Sequence, residues 1–413
     1  MTPQVKQRIE QIRRGEVPER YKKTKVGIVP NEWVETKFSD LFVSTSEFTD
    51  DLEKYPLYSL TIQEGITAKT ERYERSHLVK KDNAYKIVCP NDFAYNPMNV
   101  RFGAVARHKG TNKVSVSGYY DIFTTRLTSD LNFMDSFLIS NKMIAYYNKV
   151  SIGSLIEKQR VHFSQFMDFC LPIPSEDERQ KIAEILSAHD KIIALKEKLI
   201  EEKKRQKKAL MQHLLTGKKR LPGFSGEWVN IKLGDVFEER IETNCQDLEL
   251  LSVTGTNGVV PRSTIETKDN SSEDKSKYLK ICKGDIGYNT MRMWQGVSAL
   301  SEYEGIVSPA YTVLIPSPEI SAKYFSYLFK MHAVIFLFYR FSQGIVDDTR
   351  SLKYHEFAKL HLNVPKDKKE QEAIAEILTV ADQEIVILQK ELEQEKQKKK
   401  ALMQLLLTGI VRV

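Results

Sequence analysis

The sequence predicts a mixed α/β (α+β) protein built twice. Two similar globular domains are separated by two long antiparallel coiled-coil helices in a pseudo-two-fold cyclic arrangement. Three observations carry this. KKALMQHLLTG at 207–217 returns as KKALMQLLLTG at 399–409, and IAEIL at 182–186 returns at 374–378 with the same offset (374 − 182 = 192; 401 − 209 = 192). Both stretches carry apolar residues at a sustained spacing of 3.5, the mark of a coiled coil. Weaker echoes join them: Glu32-Trp33-Val34 with Glu227-Trp228-Val229, and Tyr85, Cys89, Asp92, Tyr95-Asn96, Met98 and Gly103 with Tyr278, Cys282, Asp285, Tyr288-Asn289, Met291 and Gly296. A long unit that occurs twice indicates a pseudo-symmetric molecule and not a solenoid.

The elements follow in order. Residues 1–21 form an N-terminal helical segment in which Val5, Ile9 and Ile12 share a face and Gly15 ends the helix. Residues 22–173 form the first globular domain, with β-rich runs at 86–89, 114–117 and 121–125 and a helical pattern near 133–149. Residues 174–218 form the central long helix, whose seam reads Ile182, Leu186, His189, Ile193, Lys196, Ile200, Lys203, Lys207, Leu210 and Leu214. Residues 219–364 form the second domain, with strands at 306–308 and 311–315 and an apolar helical pattern over 320–341. Residues 365–413 form the C-terminal long helix, with the seam Ile374, Leu378, Ala381, Ile385, Leu388, Leu392, Glu395, Lys399, Leu402 and Leu406. Each long helix starts after a proline (Pro174, Pro365) and ends at Thr-Gly (Gly217, Gly409), where glycine suits the left-handed conformation beyond a helix. The second domain supplies a return path, so the helices are expected to pair antiparallel. From Ile182 to Leu214 such a rod would span about 50 Å at ~1.5 Å per residue. Polar seam residues, Lys203 with Glu395 and Lys207 with Lys399, fall at equivalent places and would fix register.

At 41% hydrophobic residues the chain can build real cores, and no apolar run is long enough to span a membrane. No secretory signal is evident, so a cytoplasmic location is expected. The net charge of +7 over 413 residues is compatible with nucleic acid but weak evidence for it. Cys89, Cys170, Cys245 and Cys282 form no CxxC pair and are expected as reduced thiols, the equivalent Cys89 and Cys282 packing in equivalent cores. No GxxxxGK[ST], HExxH or paired Cys/His spacing is present, and no GxGxxG follows a strand. No catalytic residue and no metal site is therefore expected. Asn96-Pro97-Met98 superficially resembles an adenine-methyltransferase motif, but it lacks the second proline and the aromatic, and its partner Asn289-Thr290-Met291 lacks any proline. A framework turn is the simpler reading of both.

The loops beside these turns differ between the halves. The first offers Thr61, Gln63, Asn99, Arg101 and Arg107; the second offers Thr254, Asn257, Arg262, Arg292 and Gln295. Arginine, asparagine and glutamine can read base edges with two hydrogen bonds each. Each residue taken alone reads better as an ordinary solvated loop residue. A common framework with divergent polar loops favours two readers of two different targets.

With these features in place, the chain resembles the specificity subunit of type I restriction–modification systems. The resemblance rests on Pro174 with Glu178-Arg179-Gln180-Lys181-Ile182-Ala183, on the stretch ending at Gly217, and on Gly223-Phe224-Ser225-Gly226-Glu227-Trp228. Pro365, Glu370-Gln371 and Ile374-Ala375 repeat the first of these. The resemblance implies two target-recognition domains, each reading one half of a bipartite, asymmetric site on double-stranded DNA. It implies helices that set the spacing and dock two methyltransferase (modification) subunits, which methylate adenine at N6. It also implies no cofactor on this chain: S-adenosylmethionine, ATP and Mg would belong to partner subunits, including two restriction/translocase subunits in systems that also cleave. A coiled-coil adaptor joining two protein-binding domains without DNA remains the alternative to this reading.

Overall fold

The computed structural model describes residues 2–68, 84–155, 159–255, 258–266 and 271–413. The chain divides into two compact units: Met1–Lys196 with Glu391–Val413, and Glu197–Lys390. Each unit holds one globular domain, the first part of one long helix and the last part of the other.

In unit 1 the globular domain opens and closes on one strand pair. Val34–Lys37 runs antiparallel to Cys170–Ile173, with Val34 opposite Ile173 and Lys37 opposite Cys170. Between them lies an antiparallel four-stranded sheet ordered Val105–Arg107, Phe93–Tyr95, Asp121–Thr125, Phe42–Ser44. A second sheet pairs Tyr85–Val88 with Val114–Ser117 and with the short Phe48–Thr49, and a hairpin joins Tyr58–Thr61 to Gly65–Ala68. Unit 2 repeats the plan. Trp228–Lys232 closes on His361–Pro365. Its four-stranded sheet is ordered Phe237–Glu239, Tyr311–Pro316, Ile286–Asn289, Ser298–Leu300. Leu279–Ile281 pairs with Gly305–Val307, and Leu251–Thr254 with Gly258–Pro261.

The helical patterns near 133–149 and 320–341 each resolve into two helices: Leu131–Phe137 and Asn141–Val150, then Ala322–Leu328 and His332–Phe341. Serine explains two of the starts. The Ser140 hydroxyl accepts from the Met143 N–H and the Ser321 hydroxyl from the Tyr324 N–H, satisfying donors that a helix start leaves orphaned.

The long helices span Glu176–Leu214 and Lys368–Leu406, 39 residues each. In unit 1 their pairing is antiparallel: His189 Nδ1 lies 2.5 Å from Glu395 Oε1, and Lys196 Nζ lies 2.6 Å from Glu391. In unit 2 Lys203 pairs with Glu384 and Lys207 with Asp382. On the seam Ile182, Leu186, Ile200, Leu214, Ile374, Leu378, Ile385 and Leu406 are buried, and Ile193, Leu388, Leu392 and Leu402 are half-buried. Leu210 is 36% exposed, so truncating it forfeits less than the ~2–5 kcal/mol that a buried leucine commands.

The long helices are part of each core. Phe38, Phe42, Phe93, Phe123, Phe166 and Phe169 pack with Ile182, Ala183 and Leu186 from the start of one helix and Leu406 and Leu407 from the end of the other. In unit 2 Phe237, Tyr288, Phe325, Phe329, Phe338 and Phe357 pack with Ile374, Ala375, Leu378, Leu214 and Leu215 in the same roles. Hydrophobic burial at about 25 cal/mol per Å² of apolar surface is thus what ties rod to globule.

A buried carboxylate fixes the register of this junction. Glu178 is 4% exposed; it accepts two hydrogen bonds from the Arg412 guanidinium and one, at 3.2 Å, from the Trp33 indole N–H. Its equivalent Glu370 is 1% exposed and is held by Arg220 through bonds of 2.7 and 2.8 Å. The helix ends close against the same tryptophans. A Cβ at Gly409 (φ +72°) would lie 3.0 Å from Trp33, and one at Gly217 (φ +70°) 3.2 Å from Trp228. Backbone sign favours glycine at both ends, and at Gly409 space demands it as well, because Pro30 stands in the way of any Cβ. In unit 1 the N-terminal helix (Pro3–Arg13) joins this corner, with the Arg8 guanidinium donating to the Ile410 carbonyl at 2.7 Å.

Charge-assisted bonds of this kind contribute about 1.5–3 kcal/mol, and losing the cation strands a buried carboxylate. Arg412→Met is expected to destabilise the protein by about 2 kcal/mol, the guanidinium being partly solvated, and Arg220→Met by a similar amount. Urea denaturation followed by tryptophan fluorescence checks this; unchanged midpoints would contradict the clamp.

Candidate nucleic-acid interface

The repeated Asp-x-x-Tyr-Asn segments are framework turns. In unit 1 the Asp92 carboxylate accepts from the Cys89 N–H at 3.0 Å, and in unit 2 the Asp285 carboxylate accepts from the Cys282 N–H at 2.8 Å. Burial pushes the Asp92 carboxyl up, opposed by that N–H. Asp285 instead accepts a two-pronged pair from Arg240, at 2.8 and 3.1 Å, and this bonding raises the guanidinium. The Asn96 side-chain oxygen accepts from the Met98 and Asn99 N–H groups, and that of Asn289 from the Met291 N–H. These asparagine oxygens are spent on shaping the chain. Each turn leads into a short 3-10 segment, Val100–Phe102 or Met293–Gln295, which ends at a left-handed glycine: Gly103 (φ 95°) or Gly296 (φ 80°).

The framework aims two loops at one edge of each domain. In unit 1 the hairpin tip at Thr61–Gly65 lies beside the strand Val105–Arg107; a Cβ at Gly65 would stand 3.2 Å from that of Ala106. In unit 2 the tip after Thr254 approaches the chain beyond the 3-10 turn, with Gly255 facing Val297 at 3.9 Å. The predicted loop residues divide by what their side chains do. Gln63, Asn99 and Gln295 are exposed. Thr61 and Thr254 are half-buried, and both hydroxyls donate across their hairpins, to Gly65 at 3.3 Å and Gly258 at 2.9 Å. Arg101 is buried, bonds Gln159 at 3.2 Å and stacks 4.3 Å from the Phe102 ring centroid. Arg107 bonds Asn132 at 2.8 Å and lies 3.5 Å from Asp135. Arg262 and Arg292 are half-buried. Asn257 lies outside the described residues.

The structure adds a loop that the sequence reading did not single out. A β-bridge between Ile152 and Arg160 closes one loop in unit 1, and a bridge between Gln343 and Ser351 closes its equivalent in unit 2. Each follows a glycine in an unusual conformation, Gly153 (φ 147°) and Gly344 (φ 144°). In unit 2 this loop carries Ile345, 98% exposed, and Arg350, whose guanidinium lies 4.1 Å over the Tyr339 ring; Trp294 stands 6.0 Å from Tyr339. Flat faces of this kind can stack on bases. Its sequence signal was there: Ser151-Ile152-Gly153 and Ser342-Gln343-Gly344 share one offset (342 − 151 = 191).

Among the described residues no group of three or more His, Cys, Asp or Glu could hold a metal ion, and no helix is long and apolar enough to cross a membrane. All four cysteines are free and half-buried.

The comparisons with known proteins agree with this architecture. The family model for the type I restriction modification DNA specificity domain matches residues 30–205 and again 225–397. A protein of Methanocaldococcus jannaschii described as a type I restriction enzyme MjaX specificity subunit is 23% identical over 96% of this chain and 97% of its own length. The crystal structure of a type I restriction–modification S subunit from M. genitalium has a TM-score of 0.53 at 15% identity, covering 91% of this chain and 96% of that one. A structure described by complex assembly and conformational transition of the type I system has a TM-score of 0.54 at 11% identity, covering 93% and 99%. Two specificity-domain matches that fall on the two repeats found in the sequence identify the chain as a member of the type I restriction–modification specificity-subunit family.

Proposed function

We propose that this chain is the DNA-reading, non-catalytic subunit of a cytoplasmic type I methyltransferase or restriction complex. Each globular domain reads one half of a bipartite, asymmetric site on double-stranded DNA. The observation that carries this reading is the repeat itself. The turns at Asp92 and Asp285 are built alike, whereas the loops they aim share only one candidate reading residue, Thr61 with Thr254, and differ in the rest. Loops of unlike polar chemistry on a common frame suit two unlike half-sites. The long helices set the spacing between half-sites and dock two modification subunits, which bring S-adenosylmethionine; restriction subunits bring ATP and Mg where cleavage occurs. Exposed apolar residues at equivalent places on the helices, Leu195 at 66% and Ile387 at 58%, support two related docking surfaces.

The closing strand pair defines the experiment. Replacing residues 233–360 by those of a foreign reader leaves Trp228–Lys232 and His361–Pro365 to close on each other. Methylation mapping of a host carrying the graft is expected to show one half-site changed and the other retained. A change in both halves, or in neither, would sink the modular reading.

Two further outcomes are expected. Calorimetry of the purified chain with S-adenosylmethionine should give no specific heat of binding, since the cofactor belongs to the partner. Leu195→Asp with Ile387→Asp should weaken co-purification of the modification subunit while leaving the melting temperature of the free chain near its original value, because both side chains are solvent-facing. Full retention of the partner would count against docking on this face.

A further inference from the structure

Each unit has a cavity in the same place, between the start of a domain helix and the end of a long helix. In unit 1 it lies between the start of Asn141–Val150 and Lys400, Met403 and Gln404, with a volume of about 70 Å³. In unit 2 it lies between the start of His332–Phe341 and Lys208, Met211 and Gln212, is larger at about 930 Å³, and extends to the hairpin at Thr254. The long-helix residues are identical by the repeat (400 − 208 = 192; 404 − 212 = 192), and in each copy the lysine and glutamine are exposed while the methionine is half-buried.

A lysine from the domain side lines each cavity, and the two lysines are not equivalent in sequence. Lys142 is the second residue of its helix, whereas Lys330 precedes its helix by two. The Lys142 amine is buried and has no hydrogen-bond partner; it faces the Trp33 ring with its Nζ 5.4 Å from the centroid. Lys330 donates to the Gly296 carbonyl at 2.7 Å, again without a carboxylate. Burial alone pulls the Lys142 amine down to about 8, and burial with the nearby Lys207 pulls Lys330 down to about 8. A largely buried cation without an anion is costly, and each half carries one at this place, from non-equivalent positions.

We infer that the cavity at Lys142, and its counterpart at Lys330, each receive an acidic side chain from a protein partner that binds in two copies. The identity of the partner rests on the function proposed above. Three observations favour a carboxylate on protein over a DNA phosphate. The long-helix lining, Lys400, Met403 and Gln404 with Lys208, Met211 and Gln212, is duplicated without change while the reader loops diverge, as a duplicated partner requires. The unit 1 cavity is of carboxylate size. Its walls include Ile139, Met403 and Leu407, which suit the methylenes of a glutamate better than a hydrated phosphodiester.

The test is native mass spectrometry and affinity titration of the full chain with its modification subunit, using Lys142→Met and Lys330→Met. The original chain should hold two copies, and each variant should bind one copy as before and the other at least about tenfold more weakly, a difference of ~1.4 kcal/mol. Lys142→Met should also melt at the same or a higher temperature when free, since it removes a buried unpaired charge. A lower melting temperature would mark Lys142 as structural and overturn the inference. So would two copies bound with unchanged affinity in both variants. Intact partner binding with a weaker, less salt-dependent affinity for DNA would assign the cavities to phosphate instead. Failure of the original chain to bind any modification subunit would overturn the proposed function along with this inference.

Discussion

The structure depends on a carboxylate buried at the start of each long helix. Glu178 and Glu370 lie where a helix start meets the stretch after a helix end, and at Glu178 Trp33, just before the first closing strand, joins them. A buried carboxylate tolerates no slack, because any shift that parts it from Arg412 or Arg220 leaves a charge in an apolar corner. The aromatic core supplies most of the burial, but it is non-directional and would accept a slipped helix. The carboxylate would not. Trp33 and Trp228 add a shape constraint at Gly409 and Gly217, where the positive φ and close rings favour glycine.

This division extends through the protein. Segments that hold the frame are retained in both copies: the clamp, the Thr-Gly helix ends, the closing strand pair, and the Asp and Asn turns. Segments that face outward at the domain edges are free to differ. The helix pairing follows the same rule. Lys207 with Asp382 and Lys399 with Asp190, both at 2.5 Å, are one ion pair written twice. His189 with Glu395 has no equivalent, because Ala381 replaces the histidine. Specific polar pairs of this kind contribute more to register than to stability.

Much of this was legible in the sequence, because repetition exposes what a single copy hides. The offset of 192 located both helices and both glycine ends, and an offset of 193 the paired turns, without any knowledge of contacts. The heptad frame found the seam but not its exposure: Leu210 fits the pattern yet stays 36% exposed, since periodicity reports angle about the axis and not the depth of the neighbour. The loop residues were least legible. Arg101 and Gln63 look equally available in one dimension, yet Arg101 is held by Gln159 and Phe102 while Gln63 faces solvent. Which arginine is structural depends on long-range partners that no local spacing encodes. The loop after Gly344 was missed for a plainer reason: its signal is a two-residue echo between unlike neighbours.

One asymmetry in the frame has a consequence for the exchange of domains. In unit 1 the buried Arg179 is held by Asp130 of the reader domain, at 2.6 and 3.0 Å, and donates to the Pro174 carbonyl. In unit 2 the same place is taken by Gln371, which accepts from the Ser321 N–H and donates to the Pro365 carbonyl. The geometry is conserved and the charge is not. A second-unit domain transplanted to the first position would set Ser321 against Arg179 and strand a buried cation; the reverse move would set Asp130 against a neutral amide. An exchange within one position keeps this pairing, and a move between positions breaks it. Each domain is in effect addressed to its own slot.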